Sequence, residues 1–324
     1  MTGIHILYEF TDGPWGGGNQ FLKALRSILR KKGAYCESPE HAETIVFNSH
    51  HNLEKVGELR RQSNQAIFIH RVDGPVFRVR GNSEEVDAEI YTANEKYADG
   101  TVFQSEWSRN ANYEEGMRNS GFSRIIINAP DPDMFYRAVA RRRHGKRKLR
   151  LIATSWSGNM RKGFDVYRWL DSNLDFSNVD MTFVGNSPVE FQNIRHLAPL
   201  PSYDLAEVLR THDIYIQASS NEPCSNALIE ALHCGLPAIA RNHGGNPEIV
   251  RSAGELFSEV HEIPPLVDRI ARDIDGYCQR IALPHIEEVG DQYCDFISDI
   301  VDARDRGQYV PKHPPGERVR ESAR

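Results

Sequence analysis

Long apolar runs are missing from the sequence. No segment approaches the roughly 20 consecutive apolar residues that a membrane-spanning helix needs. The N-terminal stretch MTGIHILYEF lacks the basic start and the long apolar region of a signal peptide. The five cysteines are scattered, and no CxxC pair occurs. These absences predict a cytoplasmic protein with reduced thiols.

An excess of positive charge is missing as well. The 324 residues include 39 Lys and Arg against 45 Asp and Glu, a formal net charge of −6. This balance excludes a molecule whose whole surface is built to bind nucleic acid. One basic segment, RAVARRRHGKRKLR, spans residues 137–150. It fits a solvated linker, or alternatively a patch at residues 141–148 that contacts anionic lipid at the inner membrane face or a phosphorylated acceptor.

Short apolar runs of strand length alternate with helical patterns through most of the chain. Because strands separated by helices usually pair in parallel, the alternation predicts an α/β fold. Its occurrence in both halves predicts two Rossmann-like domains that face each other across a cleft. The predicted strands occupy residues 4–8, 44–48, 66–70, 101–104 and 124–127 in the first half, and 149–154, 181–184, 214–217 and 237–240 in the second.

The composition predicts a division of the chain into five parts. The first Rossmann-like domain is predicted at residues 1–137 and the second at residues 149–285, with the basic linker 138–148 between them. A late helical pattern covers residues 286–305. Residues 306–324 are polar and rich in proline, which predicts a flexible tail.

A predicted helix follows the strand at residues 214–217. Ser225 or Asn226 can cap it, and Gly235 with Pro237 ends it. Such a helix starts at the carboxyl edge of the sheet, where doubly wound folds bind their ligands. Its free N–H groups favour an anion, most naturally a phosphate.

Two acids, Glu222 and Glu230, stand eight residues apart around this helix start. A carboxylate repels a phosphate, so these acids are better suited to accept hydrogen bonds from hydroxyls, as sugars and riboses offer. Considered alone, they fit equally well as ordinary acids favoured by the helix dipole.

A second element, SWSGNMRKGF, follows the strand at residues 149–154. Arg161 and Lys162 stand before a helical pattern, which is typical of a phosphate site; the alternative is a pair of solvated cations. A third element, GGNPE at residues 244–248, is either a turn whose glycines let the backbone approach a ligand or a plain turn.

With these elements in this order, the chain resembles the retaining glycosyltransferases of the GT-B fold in family 4, the glycosyl transferases group 1. The resemblance is strong over residues 150–250 and weaker over residues 1–135. The matching residues are Arg161-Lys162-Gly163, Glu222 through Glu230-Ala231, Gly235-Leu236-Pro237, Gly244-Gly245 with Glu248, and, in the first domain, Gly16-Gly17-Gly18 after the first strand.

The resemblance implies transfer of a hexose from a nucleotide-sugar donor, UDP- or GDP-linked, to a saccharide or lipid-linked acceptor in glycan or polysaccharide biosynthesis. Arg161 and Lys162 would neutralise the diphosphate, Glu222 would contact the donor sugar and Glu230 the ribose hydroxyls. No metal or other cofactor is expected, and the second domain has no DxD beside a strand. The helix at residues 286–305 is expected to cross back to the first domain.

The same resemblance assigns further residues to the site. His70 and Asp73, in HRVDGP after an apolar strand, are expected to act beside the donor sugar; alternatively they cap a turn. His50 is a rival to His70. Glu9, Asp12 and His50 are the acceptor candidates. The remaining donor contacts are predicted at Ser225, Asn226, Ala227, Gly17, Gly18, Ser157, Asn159, Gly185 and Pro199.

Other functions stay open at this point. One alternative is a donor-binding but inactive GT-B subunit, and another is a GT-B nucleotide-sugar epimerase. A NAD oxidoreductase is disfavoured, since the first loop reads GPWGGG rather than GxGxxG and no acid follows about 20 residues on after a second strand. Nothing in the sequence predicts an oligomeric state.

Overall fold

The computed structural model describes residues 3–13, 16–81, 84–119, 121–137 and 147–312. Within these ranges the chain forms two parallel sheets. The first has the order β1-β2-β3-β4-β5 and consists of Ile4–Leu7, Thr44–Asn48, Ile67–Val72, Gly100–Phe103 and Phe122–Ile125. The second has the order β11-β10-β9-β6-β7-β8, with β6 to β11 at Leu149–Ser155, Val179–Gly185, Arg195–Leu197, Ile214–Gln217, Ala238–Arg241 and Gly254–Phe257.

Helices cover both sheets. Because parallel strands are buried on both faces, they read as continuous apolar runs, and every residue of β2 is buried. The helices of the first half are α1 (Gly17–Lys31), α2 (Leu53–Gln62), α3 (Val76–Arg80), α4 (Glu84–Tyr97) and α5 (Glu106–Glu114). Those that follow are α6 (Phe164–Asn173), α7 (Ser202–Arg210), α8 (Asn226–His233), α9 (Asn246–Val250), α10 (Ile263–Arg272), α11 (Ile274–Gln279) and α12 (Ile286–Asp305).

Helix α12 packs against the first sheet, although it follows the second in sequence. Its apolar face joins α1 and β1 in one hydrophobic core, which includes Tyr293, Phe296 and Ile300. An ion pair of 2.6 Å between Lys32 and Asp291 lies at the same interface. The first domain is therefore built from both ends of the chain.

The predicted linker and tail are only partly described. Residues 138–146 and 313–324 lie outside the described ranges, so membrane contact through residues 141–148 stays a prediction. Of that segment, Arg147 pairs with Asp213 at 2.7 Å. Residues 309–312, predicted as flexible tail, are instead held against the first domain, where Tyr309 donates a hydrogen bond of 2.8 Å to Asp99.

Several elements differ from the sequence prediction. Strand β3 runs to Val72, two residues beyond the predicted end, and α1 begins at Gly17 rather than near Phe21. The strands β8 and β11 and the helices α3, α5, α10 and α11 were not predicted. Most of these are short elements.

Candidate active site

The two sheets face each other across a cavity of about 600 Å³. Residues that follow β3, β4, β6 and β9 line it, so it lies at the carboxyl ends of strands from both sheets. This is the edge at which doubly wound folds bind ligands.

Lys162 and Glu222 form an ion pair in the lining of this cavity. The Lys162 Nζ atom lies 2.5 Å from Oε2 of Glu222, and the two side chains are 25% and 15% exposed. Lys162 ends a 3₁₀ turn, Met160–Lys162, whose N-cap Asn159 accepts a hydrogen bond of 2.9 Å from the Arg161 N–H. The structure therefore brings together the cation and the acid that the sequence placed sixty residues apart.

Two helix N-termini meet at the same cavity. Ser225, one of the two residues predicted as the cap, caps α8 by accepting a hydrogen bond of 3.2 Å from the Leu228 N–H. Helix α1 begins directly opposite the start of α8. A Cβ atom on Gly17 would lie 2.3 Å from the side-chain amide nitrogen of Asn226, so glycine allows the two helix starts to come this close. The free N–H groups of both helices favour an anion in the cavity.

Glu230 lies one turn into α8, between two smaller cavities of about 110 and 160 Å³. Burial raises the pKa of its carboxyl to about 8. Among the described residues, none donates a hydrogen bond to this carboxyl. A partly buried acid that lines two cavities and receives no hydrogen bond from the described residues is suited to accept hydrogen bonds from ligand hydroxyls.

The remaining donor candidates fall into two groups. Ser157, Asn159, Asn226 and Ala227 line the large cavity, as does the glycine loop that contains Gly18. Gly185 and Pro199 line the 110 Å³ cavity instead. Apolar side chains complete that smaller cavity, namely Val184, Leu200 and Leu205, together with Trp156.

The first domain presents Asp73 and Arg71 to the large cavity. Arg71 is 1% exposed and donates hydrogen bonds of 3.1 Å to Asp73, 2.5 Å to Asn48 and 3.0 Å to Asn128. Gln104 also donates to Asp73. Arg71 was not predicted as a site residue. The sequence signal was a cation immediately after the apolar run AIFIH, since a buried cation needs hydrogen-bond partners.

The prediction that His70 faces the cleft is wrong. His70 lies inside β3 and is 0% exposed, because the strand continues two residues past it. Its Nε2 donates a hydrogen bond of 2.9 Å to the Ser49 carbonyl, and its ring stacks on Phe47. Burial lowers the pKa of His70 to about 4. Its environment is that of a neutral core residue.

Arg161 also differs from its predicted placement. Its guanidinium donates hydrogen bonds of 3.2 and 2.6 Å to the carbonyls of Phe77 and Arg78 in α3. It therefore ties the two domains together at the rim, and it is absent from the described lining of the large cavity. Arg80, from the same helix, lines the cavity instead.

The three acceptor candidates lie on loops of the first domain. Glu9 accepts a hydrogen bond of 3.2 Å from Asn52, Asp12 pairs with Lys23 at 3.0 Å, and His50 stacks on His51. None of them belongs to the described lining of the large cavity. Their role as acceptor ligands stays a prediction.

The described residues contain neither a cluster of potential metal ligands nor a helix that could span a membrane. No group of three or more His, Cys, Asp or Glu side chains is placed to hold a metal ion in the part of the chain that the structure covers. Among the described helices, none combines the length and apolarity that crossing a bilayer requires.

Comparison with known sequences identifies related proteins. The family model "Glycosyl transferases group 1" matches residues 191–279. A D-inositol 3-phosphate glycosyltransferase of Stackebrandtia nassauensis is 29% identical over 64% of this chain and 44% of its own length. The GPI3 subunit of phosphatidylinositol N-acetylglucosaminyltransferase from Saccharomyces cerevisiae is 26% identical over 35% of this chain and 28% of its own length. The chain thus spans less than half of each relative.

Solved structures share the whole architecture. A sucrose-phosphate synthase from Thermosynechococcus elongatus has a TM-score of 0.72 at 14% identity, covering 94% of this chain and 100% of that protein. Anabaena HepE, solved with UDP-glucose, has a TM-score of 0.69 at 12% identity, covering 92% and 100%. The predicted fold is confirmed: the chain has the GT-B fold, and its residues 191–279 match the glycosyl transferases group 1.

Proposed function

We propose that the chain is a retaining glycosyltransferase of family 4 that moves a hexose from a nucleotide-sugar donor to a saccharide or lipid-linked acceptor. One observation carries the proposal. The Lys162–Glu222 pair faces two helix N-termini in one cavity, and Glu230, to which no described side chain or backbone N–H donates, lies one helical turn into α8.

This arrangement suits the departure of a nucleoside diphosphate. Breaking a sugar–phosphate bond builds negative charge on the diphosphate, which a fixed cation and helix N–H groups stabilise. An incoming diphosphate competes with Glu222 for Lys162. Glu222 is then free to accept hydrogen bonds from the donor sugar or to stabilise positive charge near its anomeric carbon.

Metal-independent transfer is part of the proposal. Lys162 and the starts of α1 and α8 supply the positive charge that the leaving group requires. Activity should therefore persist in excess EDTA. Loss of turnover in EDTA and its return with Mg²⁺ or Mn²⁺ would contradict this part of the proposal alone.

The substrates are proposed from the comparisons. HepE was solved with UDP-glucose, so a UDP-hexose is the first donor to test and a GDP-hexose the second. Two relatives are named for inositol-containing acceptors, so inositol phosphates and phosphatidylinositol open the acceptor panel. The 110 Å³ cavity next to Glu230 would hold the nucleotide base against Pro199 and Leu200.

The first experiment is a thermal-shift panel with UDP, GDP, ADP, TDP and NAD without added metal. A ligand that binds only the folded protein raises Tm, so one nucleoside diphosphate should raise it in the wild type and not in Lys162→Ala. Turnover of the matching nucleotide sugar is then measured with the acceptor panel. Binding without turnover would favour an inactive subunit, and an epimerised sugar nucleotide as product would favour an epimerase.

A further inference from the structure

Glu248 connects the two domains. Its two carboxylate oxygens accept hydrogen bonds of 2.7 and 2.8 Å from the backbone N–H groups of Glu106 and Trp107. These are the first two N–H groups of α5, in the first domain, whereas Glu248 belongs to α9 of the second. The contact combines charge-assisted hydrogen bonds with a favourable helix dipole.

The turn that leads to Glu248 also supports the segment that carries Glu222. The Gly245 N–H donates a hydrogen bond of 2.8 Å to the Glu222 carbonyl. A Cβ atom on Gly244 would lie 2.5 Å from the same oxygen, and one on Gly245 would lie 2.2 Å from the Pro223 carbonyl oxygen. The glycines of this turn therefore serve close packing against the protein's own backbone.

The start of α5 holds the same segment from the other domain. Ser105, the N-cap of α5, donates a hydrogen bond of 2.7 Å to the Pro223 carbonyl. The backbone of Gly74 also packs against the ring of Pro223, since a Cβ atom on Gly74 would lie 2.8 Å from the Pro223 Cγ atom. The backbone after Glu222 is thus enclosed by residues 244–245 on one side and the first domain on the other.

We propose that Glu248 is a positioning residue: by binding the start of α5, it fixes the backbone of Glu222 so that this acid meets Lys162 and the donor only when the domains are docked. The inference rests on the proposed function for its effect on turnover. Both oxygens of Glu248 are occupied by α5, and Glu248 is absent from the described cavity lining, so the acid does not act on the donor directly.

The test compares Glu248→Gln with Glu262→Gln in the full chain. Glu262 is a matched control, because its carboxylate accepts two backbone hydrogen bonds, of 2.7 and 3.2 Å, from residues of its own domain. We expect Glu248→Gln to lower kcat by about tenfold to a hundredfold through misplacement of Glu222, and Glu262→Gln to leave it unchanged. The nucleoside diphosphate Kd should change less than about twofold in both variants.

Hydrogen exchange provides a readout that does not depend on turnover. Glu248→Gln should speed exchange in peptides that cover residues 104–108 and 219–224, and Glu262→Gln in neither. Faster exchange at residues 104–108 alone, with kcat intact, would overturn the inference and leave a purely local cap. If the wild type turns over no donor, the proposed function fails by itself, and coupled exchange at both peptides still decides the positioning role.

Discussion

The two domains build their sides of the cleft in different ways. The second domain places Lys162 in the turn that follows β6 and Glu230 one turn into α8, and the local sequence sets both positions. The first domain presents Asp73 through the buried Arg71, which depends on Asn48 from another strand and on Asn128. We infer that the local sequence positions Lys162 and Glu230, whereas Asp73 and the backbone of Glu222 depend on tertiary contacts.

The largest effect is expected from the two adjacent cations of the second domain. Lys162→Ala should lower kcat/KM at least about a hundredfold, near 3 kcal/mol, because a charge contact in the cavity is lost. Arg161→Ala removes only contacts to the carbonyls of α3 and should lower it less than about tenfold. Steady-state kinetics on both variants measures the ratio of the two losses in kcat/KM, and circular dichroism checks that both variants are folded. Equal losses would mean that Arg161 enters the site on closure.

Glu230→Gln should weaken nucleoside diphosphate binding by about ten- to a hundredfold, because hydrogen bonds to a charged acceptor are lost. Ribose hydroxyls that donate to the carboxylate stabilise its charged form and lower its pKa from about 8. Binding at pH 7 should therefore release protons from the wild type. Isothermal titration calorimetry in buffers of different ionisation enthalpy measures this release. Buffer-independent heats for the wild type, or equal release by the variant, would contradict the assignment.

The pair His70 and Asp73 tests the first domain. Asp73→Asn should lower kcat about tenfold, because Asp73 lines the cavity, and should also lower Tm, because the buried guanidinium of Arg71 loses its ion-pair partner. His70→Ala should instead cost about 2–4 kcal/mol of unfolding free energy through the cavity and lost hydrogen bonds. Urea unfolding and kinetics on each variant separate the two effects. A folded, stable His70→Ala protein with strongly reduced kcat would restore His70 as a catalytic candidate.

The smallest effect is expected at the acceptor candidates. Glu9→Gln should raise the acceptor KM by a few-fold at most, about 1 kcal/mol, and leave the nucleotide Kd unchanged. Asp12→Asn is the comparison, since Asp12 already pairs with Lys23 on the exposed surface. Acceptor saturation curves at fixed donor make the measurement. A change in nucleotide Kd for either variant would place that acid on the donor side instead.

The same contrast explains what the sequence could predict. The cap at Ser225, the position of Glu230 one turn into α8 and the cations before α6 depend on neighbouring residues, so spacing and residue type were sufficient. The prediction for His70 was wrong for the opposite reason. The apolar run ends before the strand does, and His70 is accommodated inside β3 because a polar partner, Asn94, lies on α4.

Contacts between distant segments could not be predicted from the sequence either. Arg161 meets α3 across more than eighty residues, and Glu248 meets α5 across more than 140. The hydrophobic periodicity within a segment does not indicate which distant segment it contacts. The local pattern identified the acid of the GGNPE turn, but only the fold shows that its carboxylate binds the backbone of the other domain.

The position of α12 has a consequence for synthesis on the ribosome. The core of the first domain includes Tyr293, Phe296 and Ile300, so it cannot close until almost the whole described chain has been translated. At typical elongation rates the apolar face of α1 stays without α12 for on the order of 15–50 s, and apolar surface exposed in this way is prone to aggregate. A nascent chain that stops before Ile286 would expose this face permanently and should be degraded or aggregate.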